Sequence, residues 1–174
     1  MITVGALKVL CPQTSLLALE RFVDPLNAAM EEFGIADKAE QQRFLAQVAH
    51  ESGGFHYTRE IWGPTPQQAR YEGREDLGNT EPGDGSKFRG RGLIQITGRA
   101  NYAKCAQALD LPLLEQPELL ERAMPAARSA GWFWHAHGLG PIVDFEQLTR
   151  HINGGVNGLA ERYAYLGRAK EAIA

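Results

Sequence analysis

A chain of 174 residues has room for one compact core and not for two ordinary domains. Its 44% hydrophobic and 22% charged residues exclude a disordered polypeptide, and a formal net charge of −3 with acids and bases interspersed offers no electrostatic footing for nucleic acid or an anionic membrane. No stretch approaches the ~20 apolar residues of a membrane span, so stable membrane insertion is not expected. Cys11 and Cys105 make no disulfide framework, and they read as small buried thiols. The histidines complete no metal motif with them. Met1 to Lys8 lack the charged and apolar segments of an export signal, which predicts a protein that stays cytoplasmic until something else releases it. No repeat or linker divides residues 1–174, so a single domain is expected.

Residues 15–33 carry apolar positions that suit one or two helices, interrupted near Pro25. Asp37 with Glu40 three residues later reads as a capping box, opening a helix through Phe44, Leu45, Val48 and Ala49 to Glu51. Gly53 and Gly54 stop that helix, because glycine tolerates the left-handed conformation at a helix end. Thr65-Pro66-Gln67-Gln68 has the cap, first-turn proline and third-position glutamine of a second start, running towards Tyr71 and Gly73. The segment from Arg74 to Gly92 is irregular and rich in glycine and charge; so long a loop in a compact domain is usually functional. Leu93-Ile94-Gln95-Ile96-Thr97 alternates enough to predict a short strand. A helix follows over about Arg99–Leu109. Pro117 and Pro125 each suit a first turn, the second helix running through Trp132 and Trp134. Asp144 with Gln147 opens another helix that closes at Asn153-Gly154-Gly155, and a last one spans about Leu159–Ile173. The sum is mainly α, with at most a small β element.

The chemistry concentrates in His50-Glu51-Ser52-Gly53-Gly54-Phe55 and in Glu60, nine positions after Glu51. Two carboxylates joined by a turn are what glycosidic-bond hydrolysis needs, one protonated to serve the leaving oxygen and one ionised to activate water. Phe44, Val48 and Glu51 stand at i, i+4 and i+7, so Glu51 continues an apolar stripe. Desolvation there favours its protonated form and makes it the natural general acid, with Glu60 as base. The bland alternative is a glutamate solvated at a frayed helix end. Gln95 and Thr97 project from one face of the expected strand, where an amide and a hydroxyl suit sugar groups or the attacking water; the alternative is an ordinary solvated face. Asn153 has the position of a cap or turn residue. Trp132 and Trp134 face different ways on a helix, so that one is core and the other can flank the cleft, core being the default. His50 reads as structural. There is no Gly-x-Ser-x-Gly turn and no cysteine–histidine pair to serve as a nucleophile.

Together, Ala49-His50-Glu51-Ser52-Gly53-Gly54-Phe55, Gly90-Arg91-Gly92-Leu93-Ile94-Gln95-Ile96-Thr97 with Asn101-Tyr102, and Ile152-Asn153-Gly154-Gly155 resemble glycoside hydrolase family 19, the class I chitinase-like enzymes. Over roughly residues 37–168 the chain looks most similar to the family's small bacteriophage and prophage endolysins. The resemblance implies a lysozyme-like, two-lobed helical catalytic domain with a central cleft and an inverting mechanism without cofactor or metal. It implies catalytic roles for Glu51, Glu60 and Thr97, and substrate-side roles for Gln95, Asn101, Asn153 and Arg162. An inverting pair stands roughly 6.5–9.5 Å apart, and Glu51 and Glu60 are expected in or a little above that window. The chain is too short for the loops and disulfides of the plant-type members.

The implied substrate is the glycan of bacterial peptidoglycan, cut during phage or prophage lysis by a monomer that a holin pore releases. Three alternatives stand beside it: a chitinase, an inactive wall-binding protein, and a lytic transglycosylase that leaves anhydro ends.

Overall fold

Helix α3 (Lys38–Glu51) runs through the centre of the protein in the computed structural model, which describes residues 1–173. The sequence suggested one apolar stripe on this helix, yet every residue from Phe44 to Ala49 is buried, Gln47 included. A helix covered on all sides belongs to the core and not to its surface. Its last residue is Glu51, so the carboxylate emerges where the buried helix ends. Asp37 caps the start, its Oδ2 accepting from the Glu40 amide at 2.9 Å. The expected reciprocal half of that box is absent, because the Glu40 carboxylate instead accepts from Trp134 Nε1 at 2.9 Å.

Around α3 pack α1 (Val4–Leu10), α2 (Leu16–Glu32), α7 (Ala123–Ala136) and α9 (Leu159–Ala172): α3 on α9, α2 on α7, and α1 on both α2 and α9. Helix α1 was not anticipated. Thr3 caps it by accepting from the Ala6 amide, but Gly5 in its first turn weakens the local signal. Helix α2 corrects the expected interruption, since Pro25 lies inside one continuous helix of 17 residues. An interior proline costs about 3 kcal/mol; here its ring is buried in the packing that offsets the lost hydrogen bond. Tertiary burial overrides the local rule.

The shorter elements are α4 (Pro66–Ala69), α5 (Asp84–Lys87), α6 (Arg99–Leu109) and α8 (Phe145–Asn153), with 3₁₀ turns at Glu75–Leu77 and Pro117–Glu121. The expected strand over 93–97 does not form. Among the described residues the only β pairing is two isolated antiparallel bridges, Arg59 with Arg91 and Arg91 with Ile96. Arg91 and Ile96 exchange both backbone hydrogen bonds, at 3.1 and 2.7 Å, and so fold residues 92–95 into a tight turn. Gly92 has φ +84° and sits so near α7 that a Cβ would lie 2.6 Å from Ser129 Oγ. The positive φ breaks the extended course, and the close approach to Ser129 leaves room for glycine alone. The architecture is mainly α. Among the described residues no helix is long and apolar enough to cross a membrane.

Candidate active site

Glu51 is held from below. Its Oε1 accepts from Arg162 Nη2 at 2.5 Å, and the Arg162 guanidinium is almost wholly buried. Arg162 Nη1 donates to Gln47 Oε1 at 2.5 Å, Gln47 Nε2 donates to Thr149 Oγ1 at 2.9 Å, and Thr149 Oγ1 donates to the Phe145 carbonyl at 2.8 Å. Gln47 and Thr149 are fully buried. A negative charge at the C-terminus of a helix opposes the macrodipole, and the buried guanidinium offsets that cost. The expectation of a carboxyl desolvated by an apolar stripe is therefore corrected: Glu51 is paired to a cation. Arg162, read from the resemblance as a basic residue near the acids on the substrate side, does lie against an acid, but buried beneath Glu51 and not at the surface. Asn153 joins the same network. Its Nδ2 donates to the Asn157 carbonyl at 3.2 Å, which also accepts from Arg162 Nε at 3.2 Å.

The turn after Glu51 is locked from three directions. Ser52 Oγ donates to the Val48 carbonyl and accepts from the Phe55 amide, while the buried Thr14 Oγ1 donates to the Gly54 carbonyl at 2.8 Å. Gly53, Gly54 and Phe55 all take positive φ, and burial of the Phe55 ring against Phe22 holds the strained aromatic residue there. The chain then runs alongside residues 90–92, with Gly92 N donating to Thr58 O and Glu60 N to Gly90 O.

Glu60 is held by loops. Gln68 Nε2 donates to its Oε1 at 2.9 Å, Tyr71 OH reaches the same oxygen at 3.5 Å, and the Gly90 amide donates to Oε2 at 3.2 Å. All are donors, the surroundings of an acceptor-only carboxylate. The capping box at Thr65 and Gln68 forms as read from sequence, and its purpose is now visible: the box fixes Gln68. Burial, with the Glu60 charge beside it, raises the Tyr71 hydroxyl above its ordinary pKa.

Gly90 connects Glu60 to the polar pair. A Cβ there would stand 2.6 Å from Gln95 Oε1 and 3.3 Å from Thr97 Oγ1, so glycine is needed for close approach. Gln95 and Thr97 do share a wall, although through the turn and not through a strand. Gln95 itself takes φ +58°, rare for a side-chain-bearing residue, and Nε2 donates back to the Gly92 carbonyl. Gln95, Thr97 and Asn101 line one cavity with Leu77, Ile96, Trp132, Phe133 and His137. The two tryptophans separate accordingly: Trp134 is core, edge-on to Phe44, and Trp132 is half-buried at this cavity.

Sequence reasoning missed Gln47, Gln68 and Thr149 as site residues, and it named the two tryptophans without deciding which one flanks the cleft. Only Gln68 carried a local signal, in its capping box. Cys11 and Cys105 are both buried, which pushes each thiol up to about 12 and leaves them inert. His50 faces Glu161, with Nδ1 2.9 Å from Oε2. Among the described residues no cluster of three or more His, Cys, Asp or Glu is placed to hold a metal ion.

Comparison with known proteins bears on the family and the fold. The family model described as class I chitinase, Glyco_hydro_19, matches residues 8–141, a span that includes Glu51, Glu60, Gln95, Thr97 and Asn101. A glycosyl hydrolase family 19 domain-containing protein of Haemophilus influenzae is 34% identical over 172 residues, covering 83% of this chain and 86% of that one. An endochitinase of Arabidopsis thaliana is 36% identical over 148 residues, covering 83% of this chain but only 50% of the plant protein. A solved bacterial family 19 chitinase superposes with a TM-score of 0.74 over 99% of this chain and 95% of that one; at 20% identity it speaks for the fold alone. With its lysozyme-like, mainly α fold and this match over most of its length, the chain belongs to glycoside hydrolase family 19.

Proposed function

We propose that the protein hydrolyses the glycan strands of bacterial peptidoglycan with inversion, Glu51 acting as general acid and Glu60 as general base. The observation that carries this reading is two carboxylates fixed in place on either side of one glycine turn, Glu51 by Arg162 at the end of a core helix and Glu60 by the Gln68 amide, the Tyr71 hydroxyl and the Gly90 N–H on a loop. A water held between Glu60 and Thr97 attacks the anomeric carbon and gives its proton to Glu60. Glu51 passes its own proton to the leaving oxygen as the glycosidic bond breaks, and Arg162 stabilises the carboxylate that remains. Gln95 and Asn101 bind the sugar, and Asn153 shapes the loop beside Arg162.

The short connection between the two acids favours an open cleft that admits a sugar bearing a lactyl-peptide branch. Release through a holin pore, followed by wall cleavage as a monomer in phage or prophage lysis, is the role this chemistry fits. Chitin is the second reading, favoured by the similarity to a plant endochitinase.

The test is mass spectrometry of soluble products from purified peptidoglycan and from chitin oligomers, comparing wild type with Glu51→Gln. Water-added, reducing muropeptides are expected, and Glu51→Gln should lower turnover at least ~10²-fold with the fold intact. Proton NMR of the fresh product should show the inverted anomer. Anhydro ends would make the protein a transglycosylase, release from chitin alone would make it a chitinase, and no release from either would leave a wall-binding protein.

A further inference from the structure

We propose that the Arg89 guanidinium, laid over the Trp62 ring beside Glu60, binds a carboxylate of the peptide branch of the wall glycan and so favours peptidoglycan over chitin. The inference deepens the peptidoglycan-hydrolase reading and rests on it. A chain with a formal net charge of −3 has no general attraction for an acidic polymer, so recognition of one needs a local cation.

Arg89 has the features of such a cation. Its Cζ lies 5.2 Å from the Trp62 ring centroid, and its Nε donates to the Ser86 carbonyl at 2.9 Å. That bond uses one of the five guanidinium donors. Among the described residues no carboxylate pairs with Arg89, and no protein acceptor meets its Nη1 or Nη2. Acids of the surrounding segment are engaged elsewhere: Asp84 by Arg99, Glu121 by Arg91, and Glu60 by the Gln68 amide and the Gly90 N–H. A half-buried guanidinium that rests on an indole and is fixed through Nε keeps its forked edge for a planar anion. It also has little freedom left to lose on binding.

This platform adjoins the proposed base. Trp62 follows closely after Glu60, its ring 6.2 Å from that of Tyr71, and the Tyr71 hydroxyl lies 3.5 Å from Glu60 Oε1. From the other side, Arg89 precedes Gly90, whose amide donates to Glu60 Oε2. Every glycosidic bond of a wall strand has a branched sugar on one side, so a peptide leaves the strand close to the reacting atoms. A free carboxylate on that peptide meets a cation placed next to the base. An N-acetylglucosamine polymer carries neither branch nor carboxylate, and Arg89 has nothing there to bind.

The experiment uses the full chain and three soluble substrates. These are wall strands with native peptide branches, the same strands with the branch carboxylates converted to amides by carbodiimide and ammonia, and the β-1,4-linked N-acetylglucosamine tetramer. Amidation removes the negative charge at nearly constant size. Wild type should show a KM for native strands about twofold to fivefold below that for amidated strands, the size of one half-exposed ion pair, with kcat nearly equal. Arg89→Gln should abolish that preference, while its turnover of amidated strands and of the tetramer stays within about twofold of wild type.

A wild type that treats native and amidated strands alike would overturn the inference and leave the hydrolase reading standing. An undiminished preference in Arg89→Gln would do the same, as would an equal loss on all three substrates, which would make Arg89 a support of Trp62 or Glu60. Cleavage of the tetramer with both kinds of wall strand left intact would overturn the peptidoglycan reading and this inference with it.

Discussion

The two acids stand on supports of different kinds. Glu51 rests on the core: its partner Arg162 and the Gln47 and Thr149 behind it are all buried, contributed by α9, α3 and α8. Glu60 rests on a surface loop, tied by Gln68 from the one-turn helix α4, by Tyr71 and by the Gly90 amide. A group tied into a core network moves only if the core moves, whereas a group tied by loop hydrogen bonds can be displaced without unfolding anything. The division suits the proposed inverting mechanism, in which the proton donor needs a fixed line to the leaving oxygen while the base acts through a water and tolerates adjustment.

The sharpest way to break this comparison is Arg162→Leu. It strands the Glu51 charge and the Gln47 amide together, and removing one partner of a buried ion pair costs about 3–5 kcal/mol. Urea denaturation should show a loss of that order, accompanied by loss of turnover; a midpoint within experimental scatter of wild type would show that the Glu51 support is not part of the core.

Gly90→Ala should do the reverse. Its new methyl meets the far end of the Gln95 side chain and the Thr97 hydroxyl, at a backbone φ that does not require glycine. Stability should fall by less than about 1 kcal/mol, while displacement of Gln95 and Thr97 by a fraction of an ångström lowers turnover on the order of 10- to 100-fold. Equal turnover in this variant would detach Gly90 from the site.

Gln68→Leu removes two donors to Glu60 and Ile61 and the reciprocal half of the α4 cap. About 1.5–3 kcal/mol of stability and roughly tenfold in turnover are expected to go, because a hydrogen bond to a charged carboxylate is worth that much. A collapse in stability like that of Arg162→Leu would mean that the loop is as integral as the core.

The smallest expected effect concerns pH. Burial, followed by the Arg162 charge, lowers the His50 pKa from its ordinary 6.5. Below that value the unfolded chain takes up a proton that the folded one resists, so the unfolded state binds more protons and stability falls as the pH drops from 6.5 towards the depressed value. Above 6.5 the contribution is complete. His50→Gln should therefore flatten the decline in melting temperature between about pH 7 and pH 5; identical slopes would assign that decline to other groups.

Local chemistry was legible in the residues themselves. Asp37, Thr65 and Asp144 cap helices where their side chains predict, and α6 begins and ends where its pattern does. Glu51 at a helix end beside two glycines was equally plain, since a cap or a glycine stop acts over three or four residues of neighbouring chain. Wherever the outcome depended on what lies across the core, the same reading failed. Pro25 lies inside a continuous helix with its ring buried, and residues 92–95 turn because Arg91 and Ile96 pair with each other across a positive-φ Gly92 that packs too close to Ser129 for any side chain.

What the sequence determined alone was the helical composition, the placement of most helix ends, and the pair of acids around a glycine turn. Only the tertiary structure decided that Glu51 is paired to a buried cation, that Gln68 serves Glu60, and that Trp132 and not Trp134 faces the cavity. These depend on side chains as many as 111 positions apart meeting in space, and no periodicity or cap in the chain encodes which buried partner a helix will find.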